Sequence, residues 1–235
     1  MKLNYKPNSQ LEKFGIKIYN LLVENFPQTF FVGGMVRDFL LHRTIQDIDL
    51  ATSARPEEVV KILDQAGIKH DDKGKTFGVI KALAGSREAE IATFRKDSYA
   101  NSRYPKIAFV TSAKIDSQRR DFSINSLYFS PKTSKILNFH KGQRDLEAKL
   151  VRFIGQPEKR IKQDPLRILR ALRFAWDLKF LLESRTRKAI RQNLYLINRL
   201  TKTRSATEIK KISSANNRRL AKKMFVDPKT LDNLF

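Results

Sequence analysis

The stretch FFVGGMVRDFLLHRTIQDIDLAT, residues 30–52, decides the reading of this chain. FFVGG at 30–34 is an apolar run ending in two glycines, a short strand entering a tight turn. Helical spacing then runs from Met35 to about Leu41, and IQDIDLAT at 45–52 reads as a second strand. Asp47 and Asp49 stand two apart in it, so on an extended backbone they share a face, with Cα atoms roughly 6.5 to 7 Å apart. Two converging carboxylates suit a pair of divalent cations serving an in-line phosphoryl displacement. Gly33 and Gly34 sit at the turn, where glycine permits close backbone approach and the N–H groups of a helix start attract phosphate. A D-x-D pair alone mostly decorates a solvent-facing edge, and a bare Gly-Gly is mostly a plain turn. Their combination in one strand-turn-helix-strand unit is what points to a phosphate cradle beside a metal-binding pair.

Outward from this unit, Leu11, Phe14, Ile18, Leu21 and Leu22 recur at helical spacing over 9–24, interrupted by Gly15. PEEVVKILDQAG opens a helix on Pro56 and closes it on Gly67. FGVIKAL (77–83), EAEIATF (88–94) and KIAFVTS (106–112) read as three further strands. From Asp116 strand alternation gives way to helical spacing, and beyond Leu150 the pattern is Lys- and Arg-rich helix. The expected fold class is therefore α+β, a head with a mixed sheet of about five strands followed by helices, with a boundary near 140–155.

Composition narrows the partners. The 235 residues are 41% hydrophobic, which argues against disorder, and carry a formal charge of +23 with a pI near 10.3. Sixteen Phe, six Tyr and one Trp accompany that charge, which favours nucleic acid over a tail-like basic protein. There is no cysteine, and His42, His70 and His140 lie far apart, so the metal expected is a hard ion held by carboxylates. No apolar run reaches the roughly 18 to 20 residues of a membrane span, and the N-terminus lacks a signal-peptide pattern, so a cytoplasmic location is expected.

GGMVRDFLLHRTIQDIDLAT (33–52), RRDFSINSL (119–127), GQRDL (142–146), QDPLRILRALRFA (163–175) and, more weakly, TEIKKI (207–212) together resemble the class II tRNA nucleotidyltransferases and bacterial poly(A) polymerases of the polymerase β superfamily. The resemblance implies a polymerase β-like nucleotidyltransferase head over 1–145, a helical neck that recognises the nucleobase and binds RNA over 146–205, and a truncated helical body over 206–235. It implies that Gly33, Gly34, Arg37 and Arg120 contact the nucleotide, that Asp47 and Asp49 hold two Mg²⁺ ions, and that CTP and ATP are substrates. Glu90 on EAEIATF is the expected third acidic group. Asp164, Arg167, Arg170 and Arg173 are spaced by three along one side of a helix. In the family the carboxylate and first arginine of this row act as a template for the incoming base. Cytosine and adenine each present an amino donor beside a ring-nitrogen acceptor, which an Asp acceptor and an Arg donor match. An Asp before Pro165 is also an ordinary helix cap, and an arginine row an ordinary basic face.

The chain departs from the family pattern at His42, where glycine is usual, at Gln163, where an acid is usual, and at Asn101, where Asp is common. The near-complete DSYANSRYP element around Asn101 argues against an enzyme that adds only C. Bacterial relatives continue into further helical domains that grip tRNA. Arg185, Arg187, Lys188, Arg191, Lys210 and Lys211, with Arg218, Arg219, Lys222 and Lys223, are the expected compensating RNA-binding surface. The partners expected are tRNA and nucleoside triphosphates, no membrane, and a homodimer left open. The leading expectation is untemplated addition of C, C and A to tRNA 3′ ends. Poly(A) synthesis is the closest alternative, a non-catalytic RNA-binding relative or a small-molecule nucleotidyltransferase the more distant ones, and Mg²⁺ against Mn²⁺ stays open.

Overall fold

A computed structural model of the chain describes residues 5–99, 105–201, 203, 205 and 208. In chain order these form α1 (Gln10–Asn25), β1 (Thr29–Val32), α2 (Gly33–Leu40), β2 (Ile48–Thr52), α3 (Pro56–Gln65), β3 (Lys69–Asp71), β4 (Val79–Ala84), β5 (Arg87–Thr93), β6 (Arg95–Ser98), β7 (Lys106–Phe109), α4 (Ala113–Arg119), β8 (Leu127–Ser130), β9 (Lys135–Asn138) and α5 (Gly142–Glu147). They continue as β10 (Leu150–Val151), α6 (Pro157–Gln163), α7 (Leu166–Leu178), β11 (Leu181–Leu182) and α8 (Ser184–Asn193). The described residues divide into two compact units. One runs to Arg120 and takes Ile124–Gln143; the other takes Asp121–Ser123 and continues from Arg144. None of the described helices is long and apolar enough to cross a membrane.

The first unit is built on a seven-stranded sheet ordered β3-β4-β5-β2-β1-β8-β9. β1 lies centrally, antiparallel to β2 and β8, and β2 pairs with β5 in parallel. All four β1 residues are buried, and pleating sends Phe30 and Val32 to one side, into a cluster with Ala51, Phe94, Ala113 and Tyr128. Phe31 stacks with Tyr19 of α1, ring centroids 5.5 Å apart, on the other. The glycine that interrupts the α1 pattern has a packing reason: a Cβ on Gly15 would stand 2.9 Å from Cγ2 of Ile48, so only glycine lets α1 lie this close to β2.

Several sequence expectations shift. The sheet has seven strands, not about five: β8 and β9 lie in the stretch expected to be helical, and β3 adds a short edge strand that was not expected. LYFS at 127–130 is buried throughout, so it shows no alternation to read. β7 does not join the sheet but pairs with β6 as a separate hairpin. The strand expected from Phe77 starts at Val79, since Lys75–Phe77 form a 3₁₀ turn and Gly78 adopts φ +75° against the Phe109 ring. Asp47 falls just outside β2, which begins at Ile48.

The second unit, expected to be all helical, also carries a two-residue parallel pair, β10 with β11. Its core gathers Ile168, Leu169, Leu172 and Trp176 of α7, together with Phe122, which stacks on Phe153 at 4.8 Å. Phe174 meets Phe122 edge-on at 5.5 Å. The segment expected to form a helical body beyond residue 205 lies outside the described residues, apart from Glu208.

Candidate functional site

Val32 ends β1 in an extended conformation and Gly33 turns the chain with φ +68°, opening α2 directly at the end of this inner strand. Asp49 lies in β2 and Glu90 is its register partner in β5. Asp47, exposed, immediately precedes the strand. The carboxyl of Asp49 is pushed up to about 6, by burial first and then by the negative charge of Glu90 and Asp47, against the opposing pull of Arg120 and Arg37. This is a hard-oxygen site with excess negative charge, which a divalent cation fits. Among the described residues no group of three or more His, Cys, Asp or Glu side chains is placed to hold a metal by itself. Glu90 therefore enters as a charge beside Asp49.

Two arginines flank these carboxylates from fixed positions. Arg37 forks onto its neighbour Asp38, Nε to Oδ1 at 3.0 Å and Nη2 to Oδ2 at 2.8 Å, while Nη1 donates to Asn125 Oδ1 at 2.8 Å. Arg120 donates from Nε to the Tyr128 hydroxyl at 2.8 Å and from Nη2 to Asp116 at 3.3 Å. Asp116 is fully buried and also accepts from Tyr128 Oη (2.6 Å), Arg119 Nε (2.7 Å) and the Arg95 amide (3.1 Å). Burial alone would raise its carboxyl, but Arg120 and Arg119 hold it below the usual carboxylate range. Sequence reasoning passed over Asp116, Asn125 and Tyr128. The four-residue spacing of Asp116 and Arg120 on α4 was the one available signal.

In the second unit the Asp164 to Arg173 row is distributed among different partners. Asp164 precedes α7, and its Oδ1 accepts the Leu166 amide at 3.2 Å, the local capping role open to any Asp before proline. Arg167 is buried and donates from Nη1 to the Arg160 carbonyl at 2.8 Å and to Gln163 Oε1 at 3.2 Å. Arg170 grips Asp121 through Nε at 2.7 Å and Nη2 at 2.6 Å. Arg173 donates to Glu208, pairs with Asp177 at 3.5 Å and lies 4.2 Å from the Phe174 ring centroid. Arg170 and Arg173 are thus tied to carboxylates within their own unit, and Asp121, not singled out from the sequence, is the anchor of the row. Arg185, Arg187, Lys188 and Arg191 are all exposed on α8. Lys210, Lys211, Arg218, Arg219, Lys222, Lys223 and Asn101 lie outside the described residues.

Comparison with known proteins places this geometry. The "CCA-adding enzyme" of Bacillus subtilis (strain 168) is 34% identical over 229 residues, 95% of this chain and 56% of the relative. That of Lactobacillus helveticus (strain DPC 4571) is 39% identical over 202 residues, 85% of this chain and 49% of the relative. The chain thus spans about half the length of the curated relatives it matches. Among solved structures, the Bacillus stearothermophilus CCA-adding enzyme in complex with CTP superposes with TM-score 0.79 at 31% identity, covering 90% of this chain and 51% of that one. The Thermotoga maritima CCA-adding enzyme complexed with tRNA gives 0.75 at 26% identity, covering 99% and 53%. The family model described as Poly A polymerase head domain matches residues 29–152, from the first residue of β1 to just past β10. Since that match takes in β1, the glycine turn, both aspartates, Glu90 and Arg120, and more than half of the chain, this protein belongs to the poly(A) polymerase head domain family.

Proposed function

We propose that this chain adds C, C and A from CTP and ATP to the 3′ end of tRNA without a nucleic-acid template, in the cytoplasm. The observation that carries the reading is the pairing of Asp47 and Asp49 with the Gly33-Gly34 turn, under the charges of Arg37 and Arg120. The relatives named for CCA addition, one with CTP and one with tRNA bound, support carrying that activity over.

Asp47 and Asp49 would hold two Mg²⁺ ions. Such ions, when bound, activate the attacking hydroxyl and neutralise charge on the leaving oxygens. The ribose 3′-oxygen attacks the α-phosphorus, a P–O bond forms as the bond to pyrophosphate breaks, pyrophosphate departs with the electron pair, and the hydroxyl proton passes to solvent water. Asp49 serves best above about pH 6, where it is ionised. The N–H groups opening α2 receive phosphate oxygens, since no side chain stands on Gly33 or Gly34 to block them. Arg37 and Arg120 are already locked by Asp38, Asn125, Tyr128 and Asp116, so their charge requires little reorganisation as the transition state forms. Asp164 and Arg167 read the base edge, and Arg170 and Arg173 brace α7 through Asp121 and Glu208. Guanine and uracil reverse the donor and acceptor order and leave that pair unsatisfied.

The second reading, poly(A) synthesis, is favoured by the family description itself. The test is incorporation of labelled CTP and ATP, singly and together, into tRNA transcripts ending before C, after C and after CC, with GTP, UTP and an Asp47→Ala/Asp49→Ala control. Stepwise C, C, A addition that vanishes in the control is expected. Long A tails without C addition would assign poly(A) synthesis, and no incorporation would overturn both.

A further inference from the structure

The turn 138–143, which follows β9, touches both supports of Arg120. Asn138 closes it: its Oδ1 accepts the Gly142 amide at 2.7 Å and its Nδ2 donates to Gln143 Oε1 at 3.2 Å. Lys141, inside the turn, takes the left-handed φ of +60°. Two consecutive side chains leave this pinned turn. The Phe139 ring meets the Tyr128 ring edge-on with centroids 6.1 Å apart, and His140 Nε2 lies 2.9 Å from Ser117 Oγ in α4. Tyr128 Oη accepts from Arg120 Nε, and the Ser117 carbonyl accepts the Arg120 amide at 3.3 Å where α4 ends. The side chain and the main chain of Arg120 are therefore each one residue removed from the turn.

Counting protons fixes which way the His140 bond runs. Ser117 Oγ carries one proton and donates it to the Lys114 carbonyl at 2.7 Å. Nε2 of His140 must therefore be the donor. Burial, against the bond to Ser117, holds the imidazole below its ordinary range, so near neutral pH the ring is uncharged with its proton on Nε2. A histidine bonded to a serine is mostly an ordinary core contact, and this one differs in its address. Ser117 is fully buried, follows Asp116 in α4, and caps the helix by accepting the amide of Arg120, whose guanidinium Asp116 also grips. Loosening Ser117 frees the helix turn from which Arg120 departs.

We propose that His140 is a positioning residue for Arg120, fixing the last turn of α4 through Ser117 so that the guanidinium is held ready for the incoming phosphates. This rests on the proposal that Arg120 contacts the nucleotide, and adds a residue that acts on that contact without touching it. The experiment uses the full chain with Mg²⁺ and measures equilibrium binding of α,β-methylene CTP, which cannot release pyrophosphate, beside KM and kcat for CTP incorporation. It compares the unmodified chain with His140→Phe, which keeps a flat ring and loses the donor, His140→Gln, whose amide nitrogen replaces Nε2, and Ser117→Ala. The changes at His140 are also made in an Arg120→Lys background, and thermal unfolding confirms that each protein folds.

His140→Phe and Ser117→Ala are each expected to weaken analogue binding and raise KM about three- to tenfold, the range that one hydrogen bond of ordinary net strength spans, with kcat changed less. His140→Gln is expected to restore both to within about twofold, since it supplies the same donor. In the Arg120→Lys background His140→Phe should add nothing, because the contact it positions is already lost. The two single variants break one bond from its two ends, so either decides alone if the other fails to fold. Unchanged binding and KM in a folded variant would overturn the inference. So would a loss of the same size in both backgrounds, which is what a purely structural role produces. Analogue binding that follows the expected pattern without incorporation by any chain sinks the proposed reaction alone. Normal incorporation with binding unchanged in every variant at His140 sinks the positioning role alone, and an unmodified chain that binds no analogue overturns both.

Discussion

Gly33 stands directly against Asp49: a Cβ built on the glycine would lie 2.9 Å from the Asp49 Oδ2, and its φ is +68°. Close approach and left-handed backbone both require glycine here. Gly33→Ala is expected to lose about 1 to 2 kcal/mol of stability from the backbone alone. Because the added methyl must also displace Asp49, nucleotide incorporation should fall at least about tenfold, the order that a small misplacement of a reacting group produces. Urea unfolding and single-turnover incorporation would check both, and an unimpaired Gly33→Ala enzyme would show that Asp49 need not sit where it does.

The raised Asp49 carboxyl sets a pH dependence for the cation. Between its unfolded value of about 3.9 and its folded value of about 6, the folded chain holds a proton that the unfolded chain has released. Asp49 therefore lowers stability as pH rises through that window, and a cation bound there offsets the loss. The rise in Tm on adding Mg²⁺ should be small at pH 5, larger at pH 7.5, and lost in Asp49→Asn.

Asp121 and Arg170 form a part-buried fork 49 residues apart in sequence, and the guanidinium overcomes desolvation to hold the carboxyl below its ordinary range. Its contribution is complete above about pH 4 and is lost as pH falls below that. Arg170→Ala takes the cation from a part-buried carboxylate that keeps the Phe122 amide as a donor, and is expected to cost about 1 to 3 kcal/mol. The Asp121→Asn/Arg170→Met double variant should be less damaged than Arg170→Ala. Urea unfolding at pH 7 measures the difference.

Tyr128 bridges Asp116 and Arg120 with a single hydroxyl. Tyr128→Phe keeps the ring in the core and removes the bridge, so a stability loss of about 1 kcal/mol is expected. If the hydroxyl aims Arg120 at the nucleotide, KM for CTP should rise with far-ultraviolet circular dichroism unchanged. An unchanged KM would reduce the bridge to a packing role.

His42 has φ +53° and is exposed in the turn after α2. His42→Gly is expected to stabilise the chain by about 1 kcal/mol, read as a higher urea midpoint at the same slope, since glycine adopts this conformation without the Cβ penalty. A lower midpoint would mean that the imidazole makes a compensating contact.

What was legible in the sequence lay within short windows. The α1 stripe, the β1-turn-α2 unit and α3 between Pro56 and Gly67 all follow from periods of 3.6 or 2 and from glycine and proline punctuation. That the sheet takes β8 from beyond Asp116 was not legible, because a strand buried on both faces carries no alternation, and β9 joins only as the half-buried edge partner of that strand.

The same limit governs the site. Residue types and local spacing determined which side chains could bind phosphate and metal, since D-x-D on extended chain and Gly-Gly before a helix are local geometry. Tertiary structure alone decided what surrounds them. Burial first and then Glu90, set beside Asp49 by the parallel register of β2 with β5, raise its carboxyl, and the packing of α4 against the core turns Asp116 and Tyr128 onto Arg120. The physical reason is that the charge and burial felt by a carboxyl come from strands and helices tens of residues away, whose pairing no local period encodes.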